Sequence, residues 1–124
     1  MHYLLFIALG GATGAIARYL LSNWVHGLWE GQWPVGTLLV NVLGSFGIGV
    51  IFVLIERLTI QSDWRWVLMV GFLGAFTTFS TFSLEAVSML EAGQVGHAMG
   101  YIGASVFCCL AAAAAAIQLT RMAL

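Results

Sequence analysis

"VGTLLVNVLGSFGIGVIFVLI" (residues 35–55) is 21 residues long and carries no charged side chain. A membrane-spanning helix needs about 20 mostly apolar residues, so this stretch reads as one complete span. Hydrocarbon offers the backbone no water, and an isolated run of this length can satisfy its own amides only as a helix. Three further stretches have the same character: 3–22, interrupted by Arg18; 66–90, with Glu85 as its one charge; and 98–120, uncharged. Connectors fall near 23–34, 56–65 and 91–97. The composition agrees, since the 124-residue chain is 61% hydrophobic and 7% charged, with a mean hydropathy of +1.00. A soluble domain carries about 25% charged residues. The chain is therefore predicted to be a single all-α integral membrane domain of four spans in a lipid bilayer. The first apolar run lacks a basic leader and contains Arg18, so it is expected to be retained as a span.

Several function classes are excluded. The net charge is −1 and there is no lysine, which leaves no basic footprint for nucleic acid and no polybasic patch for anionic lipid. Cys108 and Cys109 are adjacent, point about 100° apart on a helix, and make no C-x-x-C motif; they read as small packing residues. His2, His26 and His97 fall at the terminus or in connectors without ligand spacing. No serine stands in a nucleophile-elbow motif, so the chain is not expected to be an enzyme. The tryptophans at 24, 29, 33, 64 and 66 sit at predicted span ends, where indole anchors at headgroup level. Small residues recur four apart at Gly10/Gly14, Ser45/Gly49, Gly71/Ala75 and Gly96/Gly100, a spacing that lets helix backbones approach.

An even number of spans puts both termini on one side, side A. The intramembrane polar groups gather toward side B. Arg18 lies past the middle of the first span and Asn41 early in the second. Thr77 and Thr78 lie near the midplane of the third, followed by Ser80, Thr81, Ser83 and Glu85. Tyr101 and Ser105 lie in the side-B half of the fourth. Such groups are costly in lipid and normally face a cavity or a partner. A single hydroxyl can bond back to a carbonyl four residues earlier, but here five of the seven positions 77–83 carry one. Thr78, Thr81 and Glu85 fall within about 60° of one another on a helix, with Phe79 and Phe82 on the flank. One copy thus builds half a polar path and then a plug. A second, inverted copy would supply the missing half, which predicts an antiparallel homodimer.

The convergent groups are chiefly hydrogen-bond donors, and phenylalanine edges carry positive partial charge; both favour an anion. Glu85 opposes this if ionised, unless it lies off the path, pairs with a donor or holds a proton. Gly71 and Gly74 precede the hydroxyl cluster and weaken the helix there. A break would free carbonyls able to hold a hard cation such as Na⁺.

Three blocks, "GGATGAIARY" (10–19), "PVGTLLVNVLGSF" (34–46) and "GAFTTFSTFSLE" (74–85), resemble the signature blocks of the CrcB/Fluc fluoride channels. The resemblance implies a passive fluoride-selective channel in the bacterial inner membrane that relieves cytoplasmic fluoride toxicity. It implies a dual-topology antiparallel homodimer and a third helix broken at its centre. Carbonyls of Gly74 and Thr77 from both subunits would hold one structural Na⁺. Phe79 and Phe82 would line the pores, Asn41 would help coordinate the anion, and Ser80 and Thr81 would extend the track to Glu85. Tyr101 and Ser105 would face the pore from the fourth helix, and Arg18 would serve either as a direct contact or structurally. Side A carries Arg57, Arg65 and Arg121 against Arg18 alone toward side B, which favours the N-terminus inside, whereas dual topology favours balance. The competing reading is a small proton-coupled multidrug exporter with four spans, using Glu85 as its carboxylate.

Overall fold

A computed structural model describes residues 2–31, 33–58 and 62–124, and among these there is no strand. Four helical stretches are long and apolar enough to cross a membrane. They are α1 (His2–Leu28), α2 (Val35–Leu58), a third span over Arg65–Glu91, and α6 (Val95–Ala123). The third span is composite. A short α3 (Ser62–Trp64) leads into a π-helical segment (Arg65–Leu73), then one turn, α4 (Gly74–Phe76), and finally α5 (Phe79–Glu91). The spans outrun the apolar stretches at 3–22 and 98–120. A helix continues for as long as its backbone ladder can be extended, and headgroup-level residues extend it as well as apolar ones do. The connector expected over 56–65 includes 59–61, and that over 23–34 includes Gln32; these residues lie outside those described.

The helix ends have local causes. Pro34 stands immediately before α2, where a missing N–H costs nothing. Between α5 and α6, Gly93 takes φ +81. The Gln94 N–H reaches back to the Met89 carbonyl at 2.9 Å and the Gly93 N–H to that of Leu90 at 3.1 Å. This left-handed C-terminal turn favours glycine.

α1 packs on the π-helical segment, α2 packs on α6, and α5 leaves α1 to pack on α6. Glycine makes the first contact possible. A Cβ at Gly10 would strike the Val67 carbonyl, one at Gly14 the Phe72 carbonyl, and one at Gly71 would lie 2.9 Å from the Ile7 carbonyl oxygen. Gly14→Ala is therefore expected to destabilise the fold by about 1–3 kcal/mol, the usual cost of overpacking, read as a lower unfolding midpoint in detergent. Gly49 serves the second contact, where a Cβ would lie 2.7 Å from the Ala113 carbonyl oxygen and 2.8 Å from the Ala116 Cβ. The pair Gly96/Gly100 joins no helices: Gly96 meets nothing within 4 Å, and Gly100 faces the Trp33 ring at 3.0 Å.

The side-B core is a cluster of Phe82, Ala86, Met89, Ala98 and Tyr101, with Trp33 packed against it. Trp33, at the start of the second span, is partly buried against this cluster, its ring 6.2 Å from that of Tyr101. Trp24, Trp29 and Trp64 are exposed. At side A, Arg121 pairs with Glu56 at 3.4 Å, tying the end of α6 to the end of α2. An exposed pair of this kind contributes about 0–1 kcal/mol.

Candidate functional site

The third span changes packing partner at Thr77 and Thr78, and there its backbone is extended. Thr77 has φ −90 and ψ 159; Thr78 has φ −149 and ψ 112. Two consecutive β-branched residues suit this conformation better than most. Extended backbone at membrane depth leaves polar groups without helical partners, and each must find another.

Asn41 on α2 supplies two of them. The Thr78 N–H donates to Asn41 Oδ1 at 2.7 Å, and Asn41 Nδ2 donates to the Thr78 carbonyl at 3.0 Å. One side-chain amide thus clamps both polar groups of one peptide residue. Thr78 also caps α5: its hydroxyl accepts from the Thr81 N–H at 3.1 Å and donates to the Thr81 hydroxyl at 2.9 Å. Threonine is a favoured N-cap because its oxygen satisfies an otherwise orphaned N–H. Ser80 Oγ lies 3.4 Å from the Thr78 hydroxyl.

These bonds have a consequence for the carbonyls. In a continuous helix the Thr78 N–H would serve the Gly74 carbonyl and the Thr81 N–H that of Thr77. Both donors are engaged elsewhere, so these two carbonyls lose their helical partners. The intervening Ala75 carbonyl accepts from Arg18 Nε at 3.0 Å. Arg18 therefore holds the backbone of the third span.

A cavity of about 390 Å³ opens at this point. It is lined by Asn41, Gly44 and Ser45 from α2, Gly74, Thr77, Thr78, Phe79 and Phe82 from the third span, and Ser105 from α6. Phe79 is 78% exposed and Phe82 8%; their ring centroids lie 5.5 Å apart. Phe82 also packs on Tyr101 at 5.3 Å. The Ser105 hydroxyl is buried without a hydrogen-bond partner. Asn41, Phe79, Phe82, Ser105, Gly74 and Thr77 thus share one cavity wall, whereas Arg18, Ser80, Thr81, Glu85 and Tyr101 stand outside it. Thr81 and Ser80 adjoin it through Thr78. Glu85 lies one turn beyond Thr81 and accepts from the Tyr101 hydroxyl at 3.3 Å, so it has a donor for its charge. Ser83 bonds back to the Phe79 carbonyl at 2.9 Å, the ordinary fate of an intramembrane hydroxyl.

Thr37 escaped the sequence reading. It is 3% exposed and stands one turn before Asn41 on α2; that spacing of four was the signal available. Among the described residues no cluster of three histidine, cysteine or acidic side chains could hold a metal.

Residues 5–117 match the family model described as CrcB-like protein, Camphor Resistance (CrcB). The chain belongs to the CrcB family. Its relatives include a protein of Hahella chejuensis that is 50% identical over 98% of this chain and 97% of its own length. Another, from Saccharophagus degradans, is 48% identical over 94% of this chain and 88% of its own length. A third, from Hydrogenovibrio crunogenus, is 50% identical over 83% of this chain and 79% of its own. All three bear the name "Fluoride-specific ion channel FluC". CrcB membership and the four apolar helices together make this a multi-pass protein of the bacterial inner membrane.

Proposed function

We propose that this CrcB chain is a passive, fluoride-selective channel that exports F⁻ across the inner membrane as an antiparallel homodimer. The observation that carries the channel reading is 50% identity along 98% of the chain to a protein named for fluoride conduction. The site's chemistry supports it. Fluoride is small and strongly hydrated, so entry requires donors at close quarters, while passage requires that none hold it tightly. The Asn41 amide and the edges of Phe79 and Phe82 offer weak, directed positive charge without a formal cation. Hydrogen fluoride crosses membranes as a neutral acid and ionises inside, so a potential negative inside drives F⁻ outward with no energy-coupling machinery.

The dimer and the breaking of the third helix belong to the same proposal. What supports them is the polar half-path of one copy, the exposure of the Phe79 ring, and the extended angles at Thr77 and Thr78. A hard cation is also part of it. The Gly74 and Thr77 carbonyls, deprived of their donors, suit Na⁺, which takes oxygen ligands. Bound there, Na⁺ would neutralise converging carbonyl dipoles from two copies; the chain's own part is to present those carbonyls through the Asn41 clamp and the Thr78 cap. Replacing Na⁺ by N-methylglucamine during reconstitution is expected to lower fluoride flux and dimer yield together. Efflux from reconstituted vesicles decides the main reading: fluoride should leave and chloride should not, and chloride leaving as fast would overturn it.

The exporter reading fits less well. It needs a free carboxylate facing a roomy chamber, whereas Glu85 is outside the cavity wall and bonded to Tyr101. Glu85→Gln keeps an acceptor for that hydroxyl and should change fluoride efflux by no more than about tenfold, because one such bond contributes about 0.5–1.5 kcal/mol. Dye-cation exchange that Glu85→Gln abolishes would favour the exporter.

A further inference from the structure

A second crevice lies at the other end of the bundle, at side A. It encloses about 220 Å³ between the last turns of α2 and the start of the π-helical segment. Phe52, Ile55 and Met69 give it apolar walls, and Glu56 and Arg65 complete the lining. On α2, Phe52, Ile55 and Glu56 follow the spacing that puts side chains on one face. Glu56 lies about 6 Å nearer the helix end than Phe52. The crevice thus runs from charged side chains at its outer end to apolar ones deeper in the bilayer. Phe52 is 43% exposed, so one wall is open to whatever surrounds the chain. Arg65 stands between Trp64, which is exposed, and Trp66, whose ring lies 5.4 Å from that of Tyr3. Aromatic groups of this kind settle at headgroup level, which fixes the depth of the guanidinium.

The two charges of the lining are not equivalent. Glu56 is met twice, by Arg121 at 3.4 Å and by Arg57 at 3.9 Å. Arg65 is exposed and enters none of the ion pairs among the described residues. The crevice therefore presents one uncompensated cation at headgroup depth above an apolar slot. We propose that it binds an anionic phospholipid, with the phosphate on Arg65 and part of one acyl chain against Phe52, Ile55 and Met69. Guanidinium meets phosphate through paired, charge-assisted hydrogen bonds, and basic pockets between membrane helices suit anionic headgroups. One arginine makes no polybasic patch; the slot beneath it is what makes a site. Phosphatidylcholine carries its own compensating ammonium and gains less from the same arginine. The site stands apart from conduction and does not rest on the channel reading.

The full chain in detergent would be loaded with dimyristoyl phosphatidylglycerol or with phosphatidylcholine of the same chain length. Bound lipid is counted by native mass spectrometry and the unfolding midpoint is followed alongside. Wild type is expected to retain the anionic lipid roughly fivefold better, the worth of one arginine beside an anionic headgroup, and to unfold at a higher temperature with it. Arg65→Gln should remove both differences, and Arg65→Lys should keep most of each. Arg57→Gln, outside the lining, should keep the preference. Ile55→Trp, which fills the slot, should lose the lipid although Arg65 is in place. Glycerol phosphate, which has the charge without a chain, should leave the midpoint where it was. Equal retention of the two lipids, a preference that survives Arg65→Gln, or equal stabilisation by glycerol phosphate would overturn the site. Lipid carried by monomers but excluded from dimers would overturn it too, by giving the crevice to a second copy.

Discussion

Asn41→Ala is expected to bring fluoride efflux down to the level of empty vesicles and to destabilise the chain in the same step. The reason lies in the clamp. The Asn41 amide satisfies both the N–H and the carbonyl of Thr78, at 2.7 and 3.0 Å. Alanine leaves both without a partner at a depth where water is scarce. Each buried group left unmade costs about 1–3 kcal/mol, so the pair places roughly 2–6 kcal/mol at risk. The Thr78 N–H can recover by returning to the Gly74 carbonyl, which would straighten the span and withdraw that carbonyl from any cation. Thermal unfolding in detergent measures the first effect and vesicle efflux the second. A variant that unfolds at the wild-type midpoint and still conducts would remove Asn41 from both roles.

Phe79→Ile is expected to lower fluoride efflux by about tenfold or more, the equivalent of ~1.4 kcal/mol, while leaving the fold of each chain intact. The two phenylalanines of the cavity differ in a way that makes this test clean. Phe82 is 8% exposed and packs on Tyr101, so its replacement disturbs the core. Phe79 is 78% exposed within one chain and its loss removes little packing there. Isoleucine keeps an apolar side chain but has no ring edge, hence no directed positive charge for an anion. A fall in flux at unchanged stability and unchanged dimer content assigns the effect to the ring. Equal efflux from wild type and variant would leave the hydroxyls and the amide as the only pathway.

The small-residue repeats show how far local pattern reaches. Gly10, Gly14 and Gly71 share the same spacing rule as Gly96 and Gly100, yet only the first set meets another backbone. Spacing identifies a smooth helix face; whether a second helix lies on that face is a property of the bundle. Arg18 shows the same limit. A guanidinium at its depth must find a partner, and that partner is the Ala75 carbonyl, in a peptide group 57 positions away.

Residue order was enough to place this chain in a membrane, to count four crossings, and to name the polar side chains that enter the bilayer. Those facts depend on residue type and on runs of about 20 positions, which transfer energy reads locally. The family, too, was legible in the three blocks, because their residues are contiguous. It took the folded bundle to show that Asn41 clamps Thr78, that the Gly74 and Thr77 carbonyls lose their donors, that Trp33 packs inward and that Glu85 finds Tyr101. Each of these is a choice of hydrogen-bond or packing partner between segments far apart in the chain. Such choices are set by how closely glycine lets the helices approach, and no local pattern contains that distance.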